Sequence, residues 1–243
     1  MQLIAEKTVR EYATEAPATI RVFEALGIDY CCGGKRTLRD ACTTAGIEPE
    51  RVLSLLALLD APVAVTTTDW ATQSLRALIT HILDTHHTYV RREMPRILGL
   101  LAKVVARHAA QHPEVREIEE VFAALEQELS SHMFKEEQIL FPYLNRLEQS
   151  VEKGGTLPSA CFSTVEQPIS MMLAEHDDAG ALLARLRELS SGYQPPPGAC
   201  PTYIGAYAGL ADFERDLHQH IHLENNILFP RATALESSNS TVH

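Results

Sequence analysis

His132-Met133-Phe134-Lys135-Glu136-Glu137-Gln138-Ile139-Leu140-Phe141-Pro142 returns later in the chain as His220-Ile221-His222-Leu223-Glu224-Asn225-Asn226-Ile227-Leu228-Phe229-Pro230. Both stretches read His-x-x-x-Glu-x-x-Ile-Leu-Phe-Pro, and the second begins 88 positions after the first. Residues four apart on a helix share a face, so each His–Glu pair can reach one common point. The apolar residues around each pair turn that face toward a core. Both copies have an upstream histidine: His87 stands 45 positions before His132, and His176 stands 44 before His220. Four histidines and two glutamates from two similar helical hairpins predict a two-metal site.

The totals agree with such a protein. A chain of 243 residues, 45% hydrophobic and 22% charged, can build one substantial core and a small extra domain. A formal charge of -11 with no basic patch to offset it excludes general nucleic-acid binding and suits the surroundings of a cationic centre. The N-terminal stretch MQLIAEKTVREY lacks the basic region and long apolar run of a signal peptide, and no apolar segment reaches membrane-spanning length. The expected location is the cytoplasm, with no membrane association. Five widely spaced cysteines are an odd number and form no disulfide framework, which fits a reducing compartment.

Residues 1–60 read as a small helical domain. Thr8-Val9-Arg10-Glu11 is a capping box, and Pro17 suits the first turn of a helix ending near Gly27. A third helix starts at Thr37 and stops at Gly46, and a fourth runs from about Pro49 to Leu59. Between the second and third lies Asp29-Tyr30-Cys31-Cys32-Gly33-Gly34-Lys35, a turn with exposed backbone. Cys31 and Cys32 are candidate redox or transfer thiols, set against a reading as small apolar fillers. Lys35, Arg36 and the helix start at Thr37 are expected to lower a thiolate pKa there. Cys42, Cys161 and Cys200 are read without a role.

Residues 61–68 read as a linker, and Asp69 as the N-cap of the next helix. Four long amphipathic segments follow, each with one ligand-bearing stretch, and predict a four-helix bundle over residues 69–236. The first runs from Trp70 to about Arg92, with a further helical piece after Pro95. Leu83 and His87 are four apart, but so are Ile82 and His86, so periodicity does not choose between the two histidines. The second segment opens at Pro113, and Pro142 marks a kink or a local rearrangement. The third begins near Pro168, the fourth near Tyr203, and residues Ser237–His243 are read as frayed. Glu175, Asp178 and His81 are placed on the surface or just outside the site, and His222, Glu137 and His112 in solvent. His108 is a candidate for lining an access route. If both glutamates bridge and each metal takes two histidines, each metal has four protein ligands, and a solvent-derived oxo or hydroxo bridge adds a fifth. Iron fits this nitrogen and oxygen donor set, with manganese and zinc as the other readings.

At these residues the chain resembles the repair-of-iron-centres family, the YtfE/ScdA di-iron proteins. The resemblance rests on Asp29-Tyr30-Cys31-Cys32-Gly33-Gly34, His132-Met133-Phe134-Lys135-Glu136-Glu137 and His220-Ile221-His222-Leu223-Glu224-Asn225-Asn226. It extends over nearly the whole chain. It implies an all-α protein, with a small dicysteine domain of the ScdA N-terminal type followed by a hemerythrin-like bundle. The family's first metal histidine precedes a stretch ending in Leu-Pro; here His87 precedes Met94-Pro95 at the matching distance, which selects His87. His87, His132, His176 and His220 are then implied as terminal ligands, with Glu136 and Glu224 bridging two irons and Cys31 and Cys32 as functional thiols. The implied function is repair of iron–sulfur clusters damaged by nitric oxide or oxidants, by supplying iron to damaged iron–sulfur proteins with an electron donor that the sequence does not identify. The rival readings are nitric oxide reduction at the di-iron centre, reversible dioxygen binding, and iron storage or stress sensing without turnover. The bundle is self-contained as a monomer, and the N-terminal helices offer a surface for a homodimer.

Overall fold

The structure, a computed structural model, describes residues 3–60 and 68–240. The stretch read as a linker therefore lies, except for residue 68, outside the described residues. Among these, everything regular is helical apart from one isolated antiparallel bridge between Thr8 and Thr37. By its internal contacts the chain divides into two compact units: residues 1–74 with 218–231, and residues 75–217 with 232–243.

The first unit opens with α1 (Val9–Glu15), α2 (Thr19–Leu26), α3 (Leu38–Ala45) and α4 (Pro49–Ala57). The capping box forms as expected: Thr8 Oγ1 accepts from the Glu11 amide, and Glu11 accepts from the Thr8 amide at 2.8 Å. Thr37 caps α3 by accepting from the Asp40 amide. The starts of these two helices pair with each other. The Arg10 amide donates to Gly34 O at 2.8 Å, and the Leu38 amide donates to Lys7 O at 2.8 Å. Helices α2 and α3 both end on glycines in the left-handed region, Gly27 (φ 65°) and Gly46 (φ 68°). Tyr12, Phe23, Tyr30, Leu38, Val52 and Leu56 are the centre of the small core, with Phe23 between the rings of Tyr12 and Tyr30.

Residues 218–231 belong to this unit through a few polar anchors. Asn226 Nδ2 donates to Tyr30 O at 3.1 Å, and the Tyr30 ring packs on the rings of His218 and His222. Arg231 Nη1 donates to Trp70 O at 2.8 Å. Asp69 caps only a short turn, accepting from the Ala71 amide.

In the second unit the next helix, α5 (Leu75–His81), begins six residues after Asp69, where Glu148 takes its first amides. It passes through a wide π-helical turn, Ile82–His87, into α6 (Thr88–His108). Pro95 lies inside α6 and does not divide it. Helix α7 (Glu114–Lys135) leads through a second π-helical turn, Glu136–Leu140, into α8 (Phe141–Glu152). Helix α9 (Glu166–Leu189) follows, and α10 (Pro201–Leu223) leads through a third, Glu224–Leu228, into α11 (Phe229–Ser240). Residues 237–240, read from the sequence as frayed, continue α11.

The second and third wide turns explain Pro142 and Pro230. At the second, the Phe141 amide bonds back five residues to Glu136 O; at the third, the Phe229 amide does the same to Glu224 O. The next residue, Pro142 or Pro230, has no N–H to continue an α-helical ladder. The break therefore falls where the chain carries Glu136 and Glu224.

Within the second unit α7 packs on α6 and α9, and α5 on α8. The part of α10 in this unit closes the bundle: Phe213 packs edge-on against Phe122 of α7 at 5.2 Å and near Tyr89 of α6. Val104, Ile118, Phe122, Leu183, Leu210 and Phe213 are buried between the helices, giving the apolar burial that holds four helices together. No helix among the described residues is long and apolar enough to cross a membrane.

Candidate metal centre

His132 and Glu136 occupy adjoining turns of one helix, as their spacing requires, with His132 Nε2 lying 3.2 Å from Glu136 Oε1. The other Glu136 oxygen, Oε2, lies 3.3 Å from His87 Nε2. His176 Nε2 stands 3.0 Å from His132 Nε2. His220 and Glu224 repeat the pairing, with Nε2 3.1 Å from Oε1. All six side chains are buried, and both glutamates are fully so.

These side chains form two overlapping groups. His87, Glu136, His220 and Glu224 each offer a ligand atom within 4.8 Å of every other, and so do His132, Glu136, His176 and Glu224. Glu136 and Glu224 are common to both. Neither group contains a cysteine.

Two outer carboxylates settle which histidine nitrogens face inward. His87 Nδ1 is 2.6 Å from Glu137 Oε1, and His132 Nδ1 is 2.8 Å from Glu175 Oε2. An ionised carboxylate only accepts, so each Nδ1 carries the proton, and in the neutral imidazole that a metal requires each Nε2 presents its lone pair. Those lone pairs point at the Glu136 carboxylate, a fully buried negative group. Such convergence of lone pairs and negative charge is costly unless a cation lies among them. Nitrogen and oxygen donors in this number fit two metal ions of the iron, manganese or zinc kind.

The outer carboxylates have cations of their own. Arg91 Nη2 donates to Glu137 Oε1 at 2.6 Å, and Lys135 Nζ pairs with Glu175 Oε1. Partial burial pushes both carboxyls up, but the hydrogen bonds outweigh it and hold each below the ordinary value: His87 and Arg91 on Glu137, Lys135 and His132 on Glu175. A pocket of about 470 Å³ opens beside His132 and His176, with Glu128, Lys135, Glu175 and Asp178 along it.

Several expectations are corrected here. Glu137, read as solvated, holds His87; the π-helical turn that begins at Glu136 shifts its direction from the α-helical one. His222, also read as solvated, is buried, with Nδ1 2.9 Å from Asn226 Nδ2. His86 is buried too, but pairs with Asp216 at 3.0 Å and lies in neither ligand group. His108 lies at the far end of α6 from His87, about 30 Å along the helix at the usual rise, with Nε2 3.3 Å from Cys200 Sγ. It belongs to neither ligand group.

The dicysteine loop is organised by Asp29. Its Oδ1 accepts from the Cys31 and Cys32 amides, both at 3.0 Å, and its Oδ2 accepts from the Gly33 amide at 2.8 Å. A Cβ on Gly34 would lie 2.6 Å from Tyr30 O, so the close fold of this turn needs glycine there. Cys31 Sγ and Cys32 Sγ are 3.8 Å apart. The expected lowering of the thiol pKa does not occur at Cys31. Its hydrogen bond with Cys32, then its burial, then the Asp29 carboxylate push it well above the ordinary cysteine value. Arg36 lies toward Asp29, 3.7 Å away.

The family model described as the hemerythrin HHE cation-binding domain matches residues 78–232, and that of ScdA_N, described as a domain of unknown function, matches residues 5–60. The iron-sulfur cluster repair protein YtfE of Citrobacter koseri is 37% identical over 232 residues, 95% of this chain and 98% of its own length. YtfE proteins of Salmonella choleraesuis and Escherichia coli are each 36% identical over the same 232 residues. The chain belongs to the repair-of-iron-centres family. In this family member the hemerythrin-type match contains all six buried donors, and the ScdA_N match contains the dicysteine loop.

Proposed function

We propose that this protein takes part in the repair of iron–sulfur clusters damaged by nitrosative or oxidative stress, holding two iron ions and supplying iron to the damaged protein. The observation that carries the reading is the sharing of Glu136 and Glu224 by both four-residue ligand groups. His87 and His220 complete one group, and His132 and His176 the other. Two irons held there supply a redox-active centre whose ligands can exchange. The chain's own residues prepare it. Glu137 and Glu175 keep Nε2 of His87 and His132 as electron-pair donors, and the two buried carboxylates offset the charge of the cations. Iron is then the cargo. The pocket beside His132 and His176 gives it carboxylates on the way out, since Glu128, Glu175 and Asp178 all line it. Cys31 and Cys32 would serve as accessory thiols in redox change or transfer, a role for which Cys31 must first lose its proton.

The test begins with metal analysis and Mössbauer spectroscopy on protein loaded anaerobically with iron-57. The loaded protein is then mixed, under reducing conditions and with inorganic sulfide supplied, with an iron–sulfur enzyme whose cluster nitric oxide has destroyed. Two coupled irons per chain and recovery of the cluster with iron-57 support the proposal. Two irons without any transfer would remove the donor role, and nitrous oxide formed anaerobically in the same sample would assign nitric oxide reduction instead.

A further inference from the structure

Glu137 and Glu175 hold their histidines in different ways. Glu175 divides its work: Oε2 meets His132 Nδ1, and Oε1 meets Lys135. Glu137 does not. Its single oxygen Oε1 takes both His87 Nδ1 and Arg91 Nη2, each at 2.6 Å. A carboxylate on Nδ1 increases the electron-donating power of the imidazole toward a metal at Nε2. A guanidinium drawing on the same oxygen reduces what that oxygen gives to the imidazole. Ammonium on the opposite oxygen of Glu175 interferes less with its partner.

We infer that Arg91 is a positioning residue that, by drawing on the Glu137 oxygen that supports His87, weakens the hold of His87 on its metal and makes the position served by His87 the weaker of the two. This rests on reading the buried donors as a two-metal centre. Arg91 suits a tuning role because its side chain is half-exposed, at 52%, beside a groove of about 450 Å³ formed with Asp84, Thr88 and Gln138. Removing it opens no cavity in the core and leaves the largely covered Glu137 carboxylate with His87 Nδ1 as its partner. Substitutions at the two residues should therefore act in opposite directions.

The experiment loads the full-length protein anaerobically with ferrous iron-57. It then follows release to a chromophoric ferrous chelator, with Mössbauer spectra before and after the first iron leaves. Wild-type protein should release iron in two phases, and the spectrum should show two unequal ferrous sites, one of which disappears first. Glu137→Gln should accelerate the fast phase by roughly 10- to 100-fold, the range for loss of such an outer partner. Arg91→Ala should slow the same phase, Arg91→Lys should restore the wild-type rate, and the slow phase should hold steady in all three. If Arg91→Ala and Glu137→Gln both accelerate release, Arg91 is a structural support and the inference fails. Two irons leaving wild-type protein in one phase insensitive to Arg91 would also overturn it, with the two-metal reading intact. Wild-type protein that takes up no iron would overturn both.

Discussion

Glu148 and Glu236 stand 88 positions apart, the spacing of the two His-x-x-x-Glu stretches, and each holds the start of a bundle helix. Glu148 accepts from the Leu75 amide at 2.6 Å and the Arg76 amide at 3.0 Å. Glu236 accepts from the Val165 amide at 2.9 Å and from the Tyr143 hydroxyl. The repetition thus extends beyond the metal donors to the residues that anchor the helices carrying His87 and His176. An anion against the free amides of a helix start is favoured by the hydrogen bonds and by the helix dipole.

The first prediction concerns that anchoring. Glu148→Ala leaves two amides at the start of α5 without their carboxylate, and should cost about 2–3 kcal/mol. Glu148→Gln keeps one acceptor and should cost less. Urea unfolding of metal-free protein measures both, and equal stability of wild type and the alanine variant would remove the cap from the account of this helix.

The sequence made much of this readable, for reasons that differ from place to place. His132, Glu136, His220 and Glu224 were legible because an α-helix brings residues four apart to one face, and that rule holds up to the first residue of each wide turn. Pro142 and Pro230 marked the local rearrangement, since a residue without an N–H sits where the ladder changes step. Glu137 was not legible, because beyond Glu136 the α-helical period no longer applies. His222 was misread for another reason: its cover comes from Tyr30 and Asn226, and Tyr30 is distant in sequence. Pro95 suggested an interruption that α6 does not make, and the lysine and arginine after the cysteines suggested a lowered pKa that the Cys32 hydrogen bond, burial and Asp29 reverse at Cys31.

A second prediction follows from the shared glutamates. Because Glu136 and Glu224 belong to both ligand groups, Glu136→Ala or Glu224→Ala should abolish binding of both metals. His176 belongs to one group, so His176→Ala should leave about one metal per chain. Elemental analysis of anaerobically reconstituted variants checks the contrast. A Glu136→Ala protein that keeps two metals would contradict the shared role.

The adjacent histidines provide a third. His87 lies in a ligand group and is held by Glu137, whereas His86 pairs with Asp216 and lies in neither. His87→Ala should therefore lower the metal content and alter the Mössbauer spectrum. His86→Ala should retain two metals and cost stability alone, of order 1–3 kcal/mol for a buried hydrogen-bonded group. Reversal of these two results would mean that the other histidine of the doublet serves the centre.

The last prediction is a pH dependence in the unit that contains Trp70, the chain's one tryptophan. Burial lowers the His222 pKa to about 4, outweighing its hydrogen bond to the Tyr30 backbone, and the Arg10 charge lowers it further. The folded state thus prefers neutral imidazole, while the unfolded chain protonates near pH 6.5. The stability contributed by neutral His222 is present above about pH 6.5 and is lost as the pH falls toward 4. The full loss amounts to about 3 kcal/mol from this one group. Denaturant unfolding of metal-free protein, followed by Trp70 fluorescence at steps between these pH values, should show the decline. His222→Gln cannot titrate there and should flatten it. An unchanged slope in that variant would assign the acid sensitivity to other groups.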